Sequence, residues 1–279
     1  MLSAAARFGL GTALIGKVGC DMHGQFLKQT LDDVGVGTDG LVVDDSVFTT
    51  LAFVALHNGE REFSFARKPG ADTCLRSDEI KTDILDNTKI FHVGSLSLTD
   101  EPSRAATIFA LEHAKQSGAI ISYDPNYRAS LWRSPQAASE QMRSIVPYVN
   151  IMKLSDEETE LLTGISDPHE AAVSLIGAGI TCVAVTLGKD GALVCIGNTS
   201  RTVAGFDIPG IDTTGAGDAF WGGFLYRLLQ SGKELKDVTL EDAAQFARFA
   251  NATATVCVTR RGGIPAMPTL DEVRRILPE

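Results

Sequence analysis

The stretch IDTTGAGDAFWGGFLYRLL, residues 211–229, holds the residues best suited to chemistry. From Ala219 onward, Phe220, Phe224, Leu225 and Leu228 recur at helical spacing, which predicts a helix beginning at or near Gly217. Gly215 and Gly217 flank Ala216, so free N–H groups stand at a helix N-terminus with no side chain to obstruct a ligand, a geometry that receives an anion. Asp218, in the first turn, reads as a dipole-favoured carboxylate, and a GAGD at a helix start would be a plain cap in many proteins. Other candidates follow apolar runs. Thr186, Gly188, Lys189 and Gly191 lie in TLGKDGA, which also reads as a tight turn. In KLSDEE (153–158), Ser155 and Glu158 have the spacing of a helix N-cap and its capping box. Asn251 sits on a predicted helix over 240–257, where an exposed polar residue is the plainer reading.

The elements that must position these residues alternate. IFHVGS (90–95) reads as a buried strand, 101–117 as an amphipathic helix ending at Gly118, and AIISYD (119–124) as the next strand. A helical stretch around 134–146, the strand VNIMKLS (149–155), the acidic helix start DEETELLTG, and the strands TCVAVTL (181–187) and GALVCIG (191–197) continue the pattern. Apolar strands alternating with helices predict an α/β fold, a mostly parallel sheet covered by helices on both faces. Ligands in such sheets bind beyond the carboxyl ends of strands, which draws attention to DPNYR (124–128) with Asn126 and Arg128. No repeat or linker divides the 279 residues, so one domain is expected.

Two segments depart from the alternation. TTLAFVAL and REFSFA are extended on either side of Asn58-Gly59, a strong hairpin signal. A β-hairpin lid over about 41–72 is therefore expected, with Arg67 and Asp72 directly after it. GVGTDG (35–40) matches a dinucleotide-binding glycine pattern, but a helical run precedes it and an extended run follows, the reverse of what that motif needs. It reads as a helix C-terminus with Gly35 and Gly37 at positive φ.

Composition excludes several classes. Apolar residues at 44% against 22% charged describe an ordinary globular chain rather than a disordered one. A net charge of -10 argues against nucleic acid, while backbone amides and a metal can still bind a phosphorylated ligand locally. The 5 cysteines are scattered without C-x-x-C, which points to free buried thiols in a reducing cytosol rather than disulfides or zinc. MLSAAARFGLGTALIG carries its only early charge at Arg7 inside the run, and glycines interrupt it, so it does not read as a signal peptide. No apolar run approaches the ~18 residues of a membrane span. A cytoplasmic location is expected.

DTTGAGDAFWGG resembles the C-terminal signature of the ribokinase-like (PfkB) sugar kinases, and the rest of the chain agrees with it. FSFARKPGAD (63–72), FHVGSLSL (91–98), SYDPNYRASLW (122–132), KLSDEE, TLGKDGA and ANATATVCVTRRGGIPAMPT (250–269) occur in that family's order and resemble its fructokinase branch most. The resemblance implies a ribokinase-like fold with a lid and an ATP-dependent kinase acting on a sugar hydroxyl, with fructose as the leading substrate. Asp218 becomes the catalytic base, and the amides of Gly215, Ala216 and Gly217 the anion hole for charge developing on the γ-phosphate. Thr186, Gly188, Lys189, Gly191, Asn126, Arg128 and Asn251 match nucleotide contacts, Asn251 near the adenine. Arg67, Asp72 and Arg128 match sugar or lid positions. Glu158 matches the position that holds Mg²⁺ through water. Asp212, Thr214, Cys257, Arg260 and Gly262 match the positions supplying ligands to a bound K⁺, with Ala266 where some relatives offer a serine.

The alternatives are a kinase for 2-keto-3-deoxygluconate or another sugar acid, and a non-catalytic nucleotide- or sugar-binding relative. Sugar-acid kinases typically place a tyrosine near the lid arginine, where this flap carries Phe63 and Phe65. A homodimer through the lid is also expected, and the charge and the short apolar runs predict no nucleic-acid or membrane partner. It aligns ARFGLGTALIGKVG with the end of the family's first helix, so the family's first strand and its Gly-Gly-x-x-Asn sugar-binding turn are unmatched here. From that follows the expectation that the 279 residues bind ATP but hold fructose weakly.

Overall fold

The computed structural model describes residues 1–57 and 60–277. The chain opens with α1 (Leu2–Arg7), β1 (Thr12–Ala13), β2 (Gly16–Gly19), α2 (Met22–Asp33), β3 (Val36–Gly37) and β4 (Leu41–Asp44). Then come β5 (Leu51–His57), β6 (Glu60–Ala66), α3 (Thr82–Asp86), β7 (Ile90–Gly94), α4 (Ser103–Gln116), β8 (Ile120–Asp124) and α5 (Pro135–Ser144). The remainder is β9 (Ile151–Ser155), α6 (Asp156–Thr163), α7 (Pro168–Gly177), β10 (Cys182–Thr186), β11 (Ala192–Ile196), β12 (Thr199–Val203), α8 (Ala216–Gln230), α9 (Leu240–Val258) and α10 (Leu270–Ile276). These residues form two compact units, one of Met1–Thr12, Val34–Val36 and Asn150–Glu279, the other of Ala13–Asp33 and Gly37–Val149.

In the unit that contains the C-terminal half, β9 runs parallel to β10, while β10–β11 and β11–β12 pair antiparallel. Two helices, α6 and α7, connect the parallel pair, because a parallel crossover needs a dozen or more residues. Ile151, Met152, Leu154, Val183, Ala184 and Val185 are all fully buried. Consecutive strand residues point to opposite faces, so burial at every position means cover on both faces, as the unbroken apolar runs predict. Asp167 caps α7 through its Oδ1, which accepts from the Glu170 N–H at 2.8 Å. The helices gather behind. Phe8 just after α1, Tyr226 of α8, Phe249 of α9 and Val273 of α10 share one apolar cluster. The pair Gly222-Gly223 permits this packing: a Cβ on Gly223 would sit 2.6 Å from Thr253 Oγ1 of α9, and one on Gly222 2.9 Å from Ala4 Cβ of α1.

In the other unit, β7 and β8 are parallel and joined by α4, whose Ala106, Ala110, Leu111 and Ala114 recur at helical spacing and are buried. β2 and β4 form a second parallel pair. β5 and β6 pair antiparallel from Leu51↔Ala66 to His57↔Glu60, the two arms of the expected hairpin, whose Asn58-Gly59 bend lies outside the described residues. Gly35 has φ +79 as expected, but Gly37 does not share it: it lies in β3 as extended backbone, so only one glycine is needed to end α2. The cysteines are free, but Cys20 is exposed and Cys74 half-buried; only Cys182, Cys195 and Cys257 are buried.

Lys17 stands in the middle of β2 with a buried side chain, and its Nζ lies 2.8 Å from both Asp44 and Glu79. Burial, the largest single effect, pulls its pKa down, yet the two carboxylates together overcome it and leave it raised. Asp44 is lowered, first by the Lys17 hydrogen bond, and Glu79 ends lowered although its own burial opposes this. The cluster's stabilisation is therefore complete between the ordinary carboxylate and lysine ranges; it fades as pH falls through the depressed acid values, and as it rises through the raised lysine value. Lys17→Met is expected to lower the thermal midpoint at pH 7, with the gap to wild type narrowing below about pH 4, where the abandoned carboxylates take up protons. Thermal melts across pH check this; a gap that stays constant with pH would assign the loss to packing instead.

Candidate active site

The N-terminus of α8 is built by a glycine turn. Gly215 is the N-cap at φ +79, a conformation that L side chains rarely adopt, and a Cβ there would lie 3.1 Å from Met267 Cε. Asp212-Thr213-Thr214 leads into it. The Ala216 N–H donates to Thr213 O at 3.2 Å, and the Ala219 N–H to Gly215 O at 2.8 Å, so the helix starts one residue before the predicted Gly217. Of the three amides expected to receive an anion, that of Ala216 thus also serves the turn. Asp218 stands in the first turn with its carboxylate half exposed, 3.3 Å from the ammonium of Met1.

Behind Gly217 lies a residue that sequence reasoning missed. Lys153, mid-strand on β9, is buried, and its Nζ comes within 3.0 Å of where a Gly217 Cβ would be. The signal was present in the sequence: a lone cation inside the otherwise apolar run VNIMKLS. Its side chain is long enough to reach the end of the strand layer, and Gly217 leaves it the space.

The segments expected to hold a monovalent cation are brought together. Asp212 Oδ1 accepts from the Thr214 N–H at 2.9 Å and its Oδ2 from the Gly262 N–H at 3.0 Å, so one carboxylate ties both loops. The amides of Ile211 and Asp212 donate to Val258 O at 2.7 and 3.1 Å. The Cys257 thiol faces Thr214 O at 3.7 Å, and burial pushes it up to about 11. Arg260 is engaged elsewhere, by Glu272, whose carboxyl it holds down at about 2.

In the segment expected to meet the nucleotide, Thr186 ends β10 with its hydroxyl 3.4 Å from Leu154 O. The turn Gly188–Asp190 follows, with Gly188 at φ +60. Gly191, at φ +99, cannot be replaced without collision, since a Cβ would meet Val203 O at 2.1 Å. Lys189 lies within that turn. Asn251 is not the exposed helical residue of the plainer reading. It is buried, and its Nδ2 donates to Val203 O at 2.9 Å and Ala204 O at 3.1 Å, fastening the chain as it leaves β12. Glu158, buried at the third position of α6, accepts from the Ser155 N–H at 2.8 Å, the reciprocal half of a capping box.

DPNYR and RKPGAD belong to the other unit. Asn126 holds φ +47, and its N–H donates to Asp124 Oδ1 at 3.1 Å, so the chain turns sharply after β8. Arg128 Nη1 donates to Tyr127 O at 2.8 Å. Arg67 was expected over a sugar. Its guanidinium is buried and donates to Asp72 Oδ2 at 2.7 Å, to Thr99 Oγ1 at 2.8 Å and to Leu96 O at 2.8 Å. Asp72 also accepts from Thr50 Oγ1, so both ends of the hairpin are tied through one carboxylate. In this geometry Arg67 and Asp72 brace the base of the hairpin. Among the described residues, no helix is long and apolar enough to cross a membrane, and no group of three or more His, Cys, Asp or Glu could hold a metal.

An α/β chain of mixed sheet, mostly parallel strands and flanking helices, with a glycine turn opening a helix and a carboxylate in its first turn, has the ribokinase-like fold of carbohydrate kinases. The pfkB family carbohydrate kinase model matches residues 1–270, and the chain belongs to that family. It is 41% identical over 277 residues to probable fructokinase-4 of Arabidopsis thaliana, covering 98% of this chain and 84% of that protein. The fructokinase of Xylella fastidiosa with bound ATP superposes with a TM-score of 0.92 at 33% identity, covering 99% of this chain and 87% of that one. The fructokinase of Vibrio cholerae O395 in its fructose, ADP and calcium ion bound form gives 0.89 at 34% identity, covering 99% and 89%. A double mutant of the latter, in its fructose, ADP and potassium ion bound form, gives 0.90 at 33% identity, covering 99% and 88%.

Proposed function

We propose that this carbohydrate kinase transfers the terminal phosphoryl group of ATP to a hydroxyl of fructose. The observation that carries the reading is the start of α8, where Gly215 and Gly217 open the helix N-terminus and Asp218 stands in its first turn. In the transfer, a sugar oxygen forms a bond to phosphorus while the bond from phosphorus to the ADP oxygen breaks, and the hydroxyl proton passes to Asp218. The amides at the helix start meet the charge on the transferred group as it develops. Thr186, Gly188, Lys189, Gly191 and Asn251 line the nucleotide's path, Asn251 by holding the β12 exit in place. Asn126 and Arg128 serve the phosphates or the sugar, and Arg67 and Asp72 serve the sugar by bracing the hairpin.

Glu158 suits a Mg²⁺ ion held largely by water and phosphate oxygens, since one buried carboxylate in the first turn of α6 supplies charge without a full cage. K⁺ fits the loops tied by Asp212, with Thr214, Cys257, Arg260 and Gly262 offering mainly backbone oxygens. Such a cation adds positive potential next to the anion site. Val43, Phe48 and Phe53 are exposed around the hairpin and support a homodimer formed through it. Dependence on ATP accords with work in the cytoplasm.

A coupled assay of ADP release tests the reading. With ATP and Mg²⁺, fructose is expected to give the highest turnover in a panel that includes 2-keto-3-deoxygluconate and ribose, and K⁺ to raise the rate above that in tetramethylammonium. Faster turnover of the sugar acid, or of no sugar at all, would overturn the substrate assignment.

A further inference from the structure

We infer that Ser95 is a positioning residue for the transfer: by clamping the carbonyl of Pro125, it holds the strained turn that carries Asn126. The inference rests on the reading that this turn serves the phosphates or the sugar. Strands β7 and β8 end side by side, with Gly94 opposite Asp124. Ser95 and Pro125 are therefore the first residues past the carboxyl ends of two parallel strands. Ser95 is fully buried, and both its N–H, at 3.2 Å, and its hydroxyl donate to Pro125 O. Two donors from one residue on one carbonyl fix the orientation of the Pro125–Asn126 peptide. Asn126 then takes φ +47, the one positive value at a non-glycine among the described residues. Asparagine tolerates this region better than most side chains, yet it still costs free energy and persists where the surroundings over-determine it.

The clamp has a firm backing. Ser95 opens the turn over 95–99, and each carbonyl after it is taken by a side chain. Leu96 O accepts from Arg67 Nη2 at 2.8 Å, and Ser97 O from Ser103 Oγ at 3.0 Å. Leu98 O and Thr99 O accept from Arg104 Nε and Nη2 at 2.8 and 3.1 Å. A connector that only had to satisfy its carbonyls could leave them to water; four successive side-chain donors fix its shape. Through Arg67 the same turn reaches Asp72 and, from there, Thr50 at the base of the hairpin. One chain of hydrogen bonds thus runs from the hairpin through the turn over 95–99 to Pro125 and Asn126. Ser95 makes and breaks no bond in the reaction. Its effect is on geometry, where a misplacement of about 1 Å can cost ~10²-fold in rate.

The test is a double-mutant cycle on the intact chain, read by ADP release at saturating ATP. Ser95→Ala removes the hydroxyl but leaves Pro125 O its bond from the Ser95 amide, so no buried acceptor is abandoned. kcat/KM for fructose is expected to fall ~10-fold, while the thermal midpoint stays within about 4 °C of wild type. Asn126→Gly deletes the side chain and adopts the positive φ without steric cost, so the turn no longer needs the clamp. In that background Ser95→Ala is expected to cost less than about 2-fold more. A further loss as large as in the wild-type background overturns the inference. So does an unchanged kcat/KM in Ser95→Ala, or a loss that follows the thermal midpoint down. Should Ser95→Ala fail to fold, Thr99→Val loosens the far end of the same turn and enters the same cycle. Failure of the fructose assignment would appear separately, as a wild-type chain that releases ADP with another acceptor, and the cycle is then read with that acceptor.

Discussion

Asp218→Asn is expected to cut turnover by ~10²–10⁴-fold while nucleotide affinity stays nearly intact. The amide keeps the size of the carboxylate and its place in the first turn of α8, so the helix start and its amides remain. What it loses is the capacity to take a proton from the attacking hydroxyl. Because proton acceptance matters only as the oxygen–phosphorus bond forms, the loss falls on turnover, and the sugar's apparent affinity changes little. The half-exposed position of Asp218 leaves it accessible to a substrate hydroxyl. Steady-state kinetics with saturating ATP, paired with ADP binding by calorimetry, separates the two effects. Turnover near that of wild type would remove Asp218 from the proton-accepting role.

Trp221→Ala is expected to be the most damaging single change to stability, by ~3–5 kcal/mol. Trp221 is fully buried on α8 and stacks on Phe224 at 4.9 Å between ring centroids, and Phe224 meets Phe246 of α9 edge-on at 5.6 Å. Removing the indole leaves a void directly beside the glycine pair that brings α8 close to its neighbours, where the backbone has little freedom to collapse into it. Urea unfolding followed by far-UV circular dichroism would read the loss. A change below about 1 kcal/mol would mean that the site repacks, contrary to the close approach of α8 and α9 at Gly223. Since α8 also carries Asp218, the variant is expected to lose activity on warming before it loses secondary structure.

Much of the architecture was legible in the residues. Strands buried on both faces read as unbroken apolar runs because neither face alternates with solvent; β9 and β10 were visible for that reason. The start of α8 was legible to within one residue, because glycine, alanine and a first-turn acid are local chemistry. The false glycine pattern at 35–40 could be dismissed for the same reason: what precedes and follows it is local. Less legible were residues whose role depends on a distant chain segment. Asn251 reads as a polar residue on an amphipathic helix, and only the folded chain shows its amide fastening Val203 and Ala204. Arg67 reads as a cation directly after a hairpin, whereas folding encloses it among Asp72, Thr99 and Leu96.

By itself, then, the sequence determined the α/β alternation, the hairpin and the GAGD helix start, together with the family resemblance those motifs carry. Each is written in short-range periodicity or in residues a few positions apart, where sterics and hydrogen bonding act within one turn or one strand. Tertiary structure decided which distant groups share an electrostatic environment. It set Lys153 of β9 against Gly217 of α8 and let the Asp212 carboxylate bind the amides of Thr214 and Gly262. It also enclosed Lys17 between Asp44 and Glu79. Such pairings join residues up to 64 positions apart, Lys153 and Gly217 being the widest of these. Nothing in local propensity encodes them: they arise only when burial of the apolar strands and helices fixes where each polar end must stop.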